Sequence, residues 1–122
     1  MQIELKTLFI YRQYVDYPMA YYFDRKTYNI VDAAASLELT DETYERCIPL
    51  FQIDEEALQD EFILQLNNKK ILSDYRQRTV CFGEFIDKRY LGDSWWRFYE
   101  GKVYEAAADW CQKNNIKYRE HT

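Results

Sequence analysis

Apolar residues recur along most of this chain at the three- and four-residue steps of helices, interrupted early by short runs in which aromatic and β-branched residues cluster. From Ile3 to about Tyr14 the positions Leu5, Leu8 and Phe9 predict a helix, although the alternation of Ile3 and Leu5 would also suit a strand. Asp16-Tyr17-Pro18 ends it, because proline disfavours the α conformation at the residue before it. Met19 to Phe23 and Tyr28 to Val31 read as two strands joined by Asp24-Arg25-Lys26-Thr27, a β-hairpin in which the Asp24 carboxylate closes the turn on backbone N–H groups. Residues 33–46, with Thr40-Asp41-Glu42, carry no clear period and read as a loop. Arg46 to Phe51 suggests a third strand, and Pro49 within it removes a ladder donor and places it at an edge.

The second half is helical in pattern. Asp54 is a good N-cap, and Glu55 and Glu56 suit the positive end of the helix dipole for a run reaching Asn67-Asn68. On a helical wheel Leu58, Phe62 and Leu66 form one stripe, and Ala57 and Leu64 a second, so most of this helix should be buried. Lys69 to Arg78 and Glu84 to Leu91 are shorter amphipathic candidates, punctuated by Gly83 and Gly92. From Asp93 the residues Trp96, Tyr99, Val103, Ala106 and Trp110 repeat at helical steps until Asn114-Asn115, which makes Trp110 a core anchor; Gly101 could kink or split the segment. Ile116 to Tyr118 could form a brief terminal strand.

At 122 residues the chain has the length of one average domain, so a single globular unit is the expectation. No apolar run approaches the roughly 20 residues of a membrane span, and MQIELKTLF has no secretory pattern. Sixteen basic against 21 acidic residues give a net charge of −5, a field that repels phosphate backbones and anionic membranes. Against that average, Lys69, Lys70, Arg76 and Arg78 form a local basic strip. Cys47, Cys81 and Cys111 are odd in number and widely spaced among apolar neighbours, which points to three buried free thiols in a reducing cytoplasm rather than to a disulfide or zinc framework.

Chemistry is sparse. The single histidine, His121, lies at the end of a polar tail, so Ser-His and Cys-His catalysis have no base, and the three isolated glycines make no phosphate loop. The carboxylates Asp54, Glu55, Glu56, Asp60, Glu61, Asp87, Asp93 and Asp109 are explained by capping and solvated faces better than by paired-carboxylate or metal chemistry. No catalytic, cofactor-binding or metal-ligating residue is therefore nominated, and no cofactor is expected. The unusual feature is aromatic content: twelve Tyr, seven Phe and three Trp make 18% of the chain. Tyrosine and tryptophan supply core area and also enrich binding surfaces, and Tyr21, Tyr28, Trp95 and Tyr99 are the candidate interaction residues.

The hairpin Tyr21-Tyr22-Phe23-Asp24-Arg25-Lys26-Thr27-Tyr28-Asn29-Ile30-Val31, the Ile48-Pro49 step into the Asp54 helix, and Trp96-Arg97-Phe98 with Ala107, Trp110 and Asn115-Ile116 give the chain a resemblance to a bacterial grouping, uncharacterised protein family 0158. The resemblance runs from about Tyr21 to Ile116. It implies a small cytoplasmic α+β protein and carries no reaction with it.

Together these readings predict one α+β domain, a small antiparallel sheet led by the hairpin and packed against helices of the C-terminal two-thirds. The leading functional expectation is a non-catalytic cytoplasmic module that binds another protein. The alternatives are a nucleic-acid-associated factor using the basic strip and a small carboxylate- or metal-dependent enzyme.

Overall fold

A computed structural model describes residues 1–16, 21–32 and 46–120 of the chain. The fold is α+β, with one three-stranded antiparallel sheet, two two-stranded parallel pairs and five helices among the described residues. The chain divides into two compact units, one of Met1–Ile53 with Val103–Thr122 and one of Asp54–Lys102.

In the first unit, β1 (Ile3–Glu4) leads directly into α1 (Leu5–Ile10), and β2 (Gln13–Tyr14) follows. The expected single helix from Ile3 to Tyr14 is thus only its central part. Its two ends are taken by long-range parallel pairing, Ile3 with Tyr118 of β7 (Tyr118–Arg119) and Gln13 with Gln52 of β6 (Gln52–Ile53). A local hydrophobic period carries no trace of partners 39 or more residues away, so tertiary pairing overrides it. Glu4 and Arg119 add an ion pair across the first of these seams.

The hairpin forms as expected. Strands β3 (Tyr21–Asp24) and β4 (Asn29–Asp32) pair with Phe23 opposite Ile30, and β5 (Cys47–Pro49) lies on the other side of β3 with Ile48 opposite Phe23. The order β4-β3-β5 leaves β5 at an edge, where the missing N–H of Pro49 does no harm. Asp24 accepts from the N–H groups of Lys26 (2.9 Å) and Thr27 (3.4 Å), closing the turn, and its second oxygen lies 3.3 Å from Arg46 Nε. Gln13, a buried amide, extends this sheet with its side chain: Oε1 accepts from the Tyr21 N–H at 3.1 Å and Nε2 donates to the Tyr21 carbonyl at 3.4 Å. The loop reading of 33–46 falls outside the described residues except at Arg46.

Helix α2 (Glu55–Gln65) starts where the sequence places it, with the Asp54 side chain accepting from the Ala57 N–H at 3.1 Å. Only one of its two apolar stripes is used. Phe62 and Ile63 are buried and Leu58 and Leu66 half-buried, but Ala57 and Leu64 face outward. Helix α3 (Lys69–Arg76) is capped by Asn68, whose side chain accepts from both the Lys70 and Ile71 N–H groups. Helix α4 (Phe82–Asp87) begins two residues earlier than the Glu84 start read from the sequence, because Phe82 is drawn into the core. Helix α5 (Gly92–Lys113) is continuous through Gly101, which does not split it.

The second unit's core is an aromatic cluster. Phe62, Ile63, Tyr75, Phe82, Phe85 and Ile86 are buried together, with Leu66, Ile71, Leu72, Val80, Leu91, Trp95 and Phe98 packed around them. Edge-to-face pairs fix the rings: Phe82 on Trp95 at 4.8 Å, Phe62 on Trp95 at 5.5 Å and Tyr75 on Phe85 at 5.7 Å between centroids. Along α5 the buried positions are Tyr99, Val103, Ala107 and Cys111, a strict four-residue stripe. The expected stripe is right at Tyr99 and Val103 and is corrected at its ends, where Trp96, Ala106 and Trp110 had the inward positions. Trp110 is half-buried on the flank, its ring edge-on to Phe23 at 5.8 Å and its Nε1–H donating to the Pro49 carbonyl at 3.2 Å, so it docks α5 onto the sheet rather than filling the centre. Of the three free thiols Cys47 and Cys111 are buried, whereas Cys81 is exposed immediately before α4.

Candidate functional site

The four aromatic residues nominated from the sequence are held by the fold itself. Tyr21 is half-buried, its backbone clamped by Gln13 and its ring edge-on to Tyr11 at 5.1 Å. Tyr28 closes the hairpin with a left-handed φ of 57°, sets its ring against Phe23 and accepts the Lys117 N–H on its hydroxyl at 3.1 Å. Trp95 is half-buried against the aromatic cluster and Tyr99 is 4% exposed, so Tyr99 offers no face to a partner. The Trp pair exchanges the burial expected of it: Trp96, read as core, is 48% exposed. The reason is that the inward stripe of α5 steps by four from Tyr99 and Val103, to Ala107 and Cys111 in one direction and to Trp95 in the other, where the expected pattern steps by three to Ala106 and Trp96.

The exposed aromatic that the sequence reading missed is Tyr90, at 94% exposure the most solvated large apolar side chain among the described residues. Its backbone explains how it stays there. The Leu91 N–H donates to the Ile86 carbonyl and the Tyr90 N–H to the Asp87 carbonyl, the paired bonds that end a helix with a left-handed residue. Tyr90 is that residue, with φ 56°. Glycine is the usual occupant, because a Cβ in this conformation crowds the following carbonyl at a cost of about 1–2 kcal/mol. The equivalent positions at Asn67 and Asn115 hold asparagine, which tolerates the conformation through its short polar side chain.

Neighbours on both sides lock the turn. Arg89 stacks its guanidinium over the Phe85 ring at 3.8 Å, donates to the Phe85 carbonyl at 3.1 Å and pairs with Asp74 at 3.3 Å. Leu91 packs against the cluster that contains Ile86. Among the described residues nothing comparable holds the ring of Tyr90. Its position in the sequence carries no glycine signal, and Gly92, which looked like the stop, instead begins α5.

The acidic residues have structural work within this unit. Asp54 caps α2, Asp60 accepts the Tyr75 hydroxyl at 2.5 Å, and Glu61 pairs with Lys102 at 2.9 Å. Burial first, and then the bond to Asp60, push the Tyr75 hydroxyl up to about 12. Burial likewise raises the Cys111 thiol to about 11, and burial followed by the nearby Asp24 raises Cys47, so neither thiol is activated as a nucleophile. Among the described residues no three His, Cys, Asp or Glu side chains converge as a metal site would require. No described helix is long and apolar enough to cross a membrane.

The basic strip is divided. Arg78 folds back over the Tyr75 ring at 4.0 Å and donates to the Tyr75 carbonyl. Lys69 and Arg76 instead share one face of α3, where with Leu72, Ser73 and Gln77 they line an open groove of about 430 Å³. Comparison of the chain with protein-family models, curated proteins and solved structures returns no match.

Proposed function

We propose that this chain is a protein-binding module of the cytoplasm and that Tyr90 is an anchor of its binding surface. The observation that carries the reading is the combination of a strained backbone and an idle ring. A bulky residue occupies a left-handed helix stop that glycine would fill at lower cost, and its side chain makes no folded-state use of being there. Strain of this kind persists where surrounding structure over-determines it and function gains from it. A rigid turn that presents a tyrosine to solvent gives a partner a large amphipathic contact with little side-chain entropy left to lose, which is why tyrosine recurs at binding hot spots. Trp96 and Leu64, 48% and 57% exposed, give the same unit further apolar surface.

The test is site-specific photocrosslinking in the cells that make the protein, with a photoreactive phenylalanine at position 90 and, as a reference, at the exposed position 113. A discrete crosslinked protein from position 90 alone supports the reading. Equal, diffuse crosslinking from both positions refutes it.

A further inference from the structure

The groove on α3 points to the chemistry of a partner. Its two cations lie seven residues apart on one face, Lys69 at the first turn and Arg76 at the last, hence about 10 Å apart along the axis at 1.5 Å per residue. Leu72 lies between them and Ser73 and Gln77 supply hydrogen-bonding groups on one side. Arg76 stands in the last turn, where the dipole favours a cation, but the charges at the other end are placed against that preference. No acidic residue stands in the first turn; Lys69 and Lys70 do, at the positive end of the dipole, where a cation is unfavourable. Elsewhere in the unit Lys88, Arg89 and Lys102 each face a carboxylate, at 3.3, 3.3 and 2.9 Å, and Arg78 lies over Tyr75, while Arg97 on α5 has no carboxylate partner among the described residues. Lys69, Lys70 and Arg76 face none among the described residues.

We infer that this face of α3 is a docking site for an acidic, extended peptide segment of a partner protein. In polyproline II geometry residues three apart lie on one side of the peptide about 9 Å apart, at 3.1 Å per residue. Carboxylates at that spacing reach Lys69 and Arg76 together, and an apolar side chain between them meets Leu72. A nucleic acid fits the same cations less well. It brings a charge about every 3.4 Å of each strand in a duplex, about three times the density of carboxylates spaced about 9 Å apart, and a chain of net charge −5 repels the excess that two cations leave unmatched. The proposal shares the protein-binding reading of the chain but rests on α3 alone and not on Tyr90.

The experiment is fluorescence anisotropy of the full chain with a labelled nonapeptide of three Glu-Leu-Pro repeats at physiological salt. A Gln-Leu-Pro repeat, the same residues with the three glutamates contiguous, and a nine-nucleotide single-stranded DNA are titrated beside it. The expected result is saturable binding of the Glu-Leu-Pro peptide with a Kd below about 100 μM, and weaker binding of all three comparators. The Lys69→Glu, Arg76→Glu double variant should weaken it at least about tenfold with an unchanged circular dichroism spectrum, whereas Lys113→Glu leaves it within about twofold. Binding absent up to about 1 mM, an equal loss in Lys113→Glu, equal affinity for the contiguous peptide, or tighter binding of the DNA overturns the proposal. The titration reads α3 and the crosslinking reads position 90, so the failure of one leaves the other standing.

Discussion

Tyr90 separates what a residue does for folding from what it does for binding. Replacing it with glycine removes the left-handed strain and forfeits almost no packing, since the ring is 94% exposed. Glycine's greater freedom in the unfolded chain offsets part of the gain, so Tyr90→Gly should stabilise the protein by about 0.5–1 kcal/mol in denaturant melts. A loss of stability would mean that the ring packs somewhere after all. Tyr75 gives the opposite case, a tyrosine whose hydroxyl belongs to the fold. Its folded value of about 12 stands above the ordinary value of 10, so the neutral form is favoured by folding. That contribution is complete below pH 10 and is lost as pH rises from 10 to 12. Stability should therefore decline across that window, and Tyr75→Phe, which also removes the donor to Asp60, should flatten the decline. An unchanged slope in Tyr75→Phe would move the effect to other groups, Cys111 first among them.

At the scale of elements, what was legible in the sequence was what is local. The hairpin turn on Asp24 and the caps of α2 and α3 depend on side chains within three residues of the backbone groups they satisfy. The edge place of β5 follows from one proline. Parallel pairing was illegible: β1 with β7 and β2 with β6 join segments that no local period connects. The ends of the α5 stripe failed for a different reason, although Tyr99 and Val103 are buried as expected. Its sequence offers two adjacent apolar stripes, one through Ala106 and Trp110 and one through Ala107 and Cys111, and only the surrounding elements choose between them. The choice is open to measurement. Ala107→Leu should cost about 1–3 kcal/mol by overpacking, and Ala106→Leu, on the half-buried flank, less than about 1 kcal/mol. Equal costs, or the reverse order, would contradict the stripe.

For the whole molecule, aromatic richness proved to have two destinations. Many of the described rings build the cores: Phe23 with Trp110 in one unit, and the cluster around Phe62, Phe82 and Trp95 in the other. Composition could report the abundance but not the allocation, and the residues nominated for binding were largely those that the fold uses. The ones left in water, Tyr90 above all, are set apart by backbone conformation and by helix register, neither of which a sequence pattern displays. The account's central claim is that the ring of Tyr90 serves association and not folding. The measurement that tests it most directly is quantitative affinity capture from the native lysate with the wild-type chain and Tyr90→Gly as paired baits. The account predicts at least one protein captured by the wild type and depleted about tenfold or more by Tyr90→Gly. Identical captured sets from the two baits would contradict it.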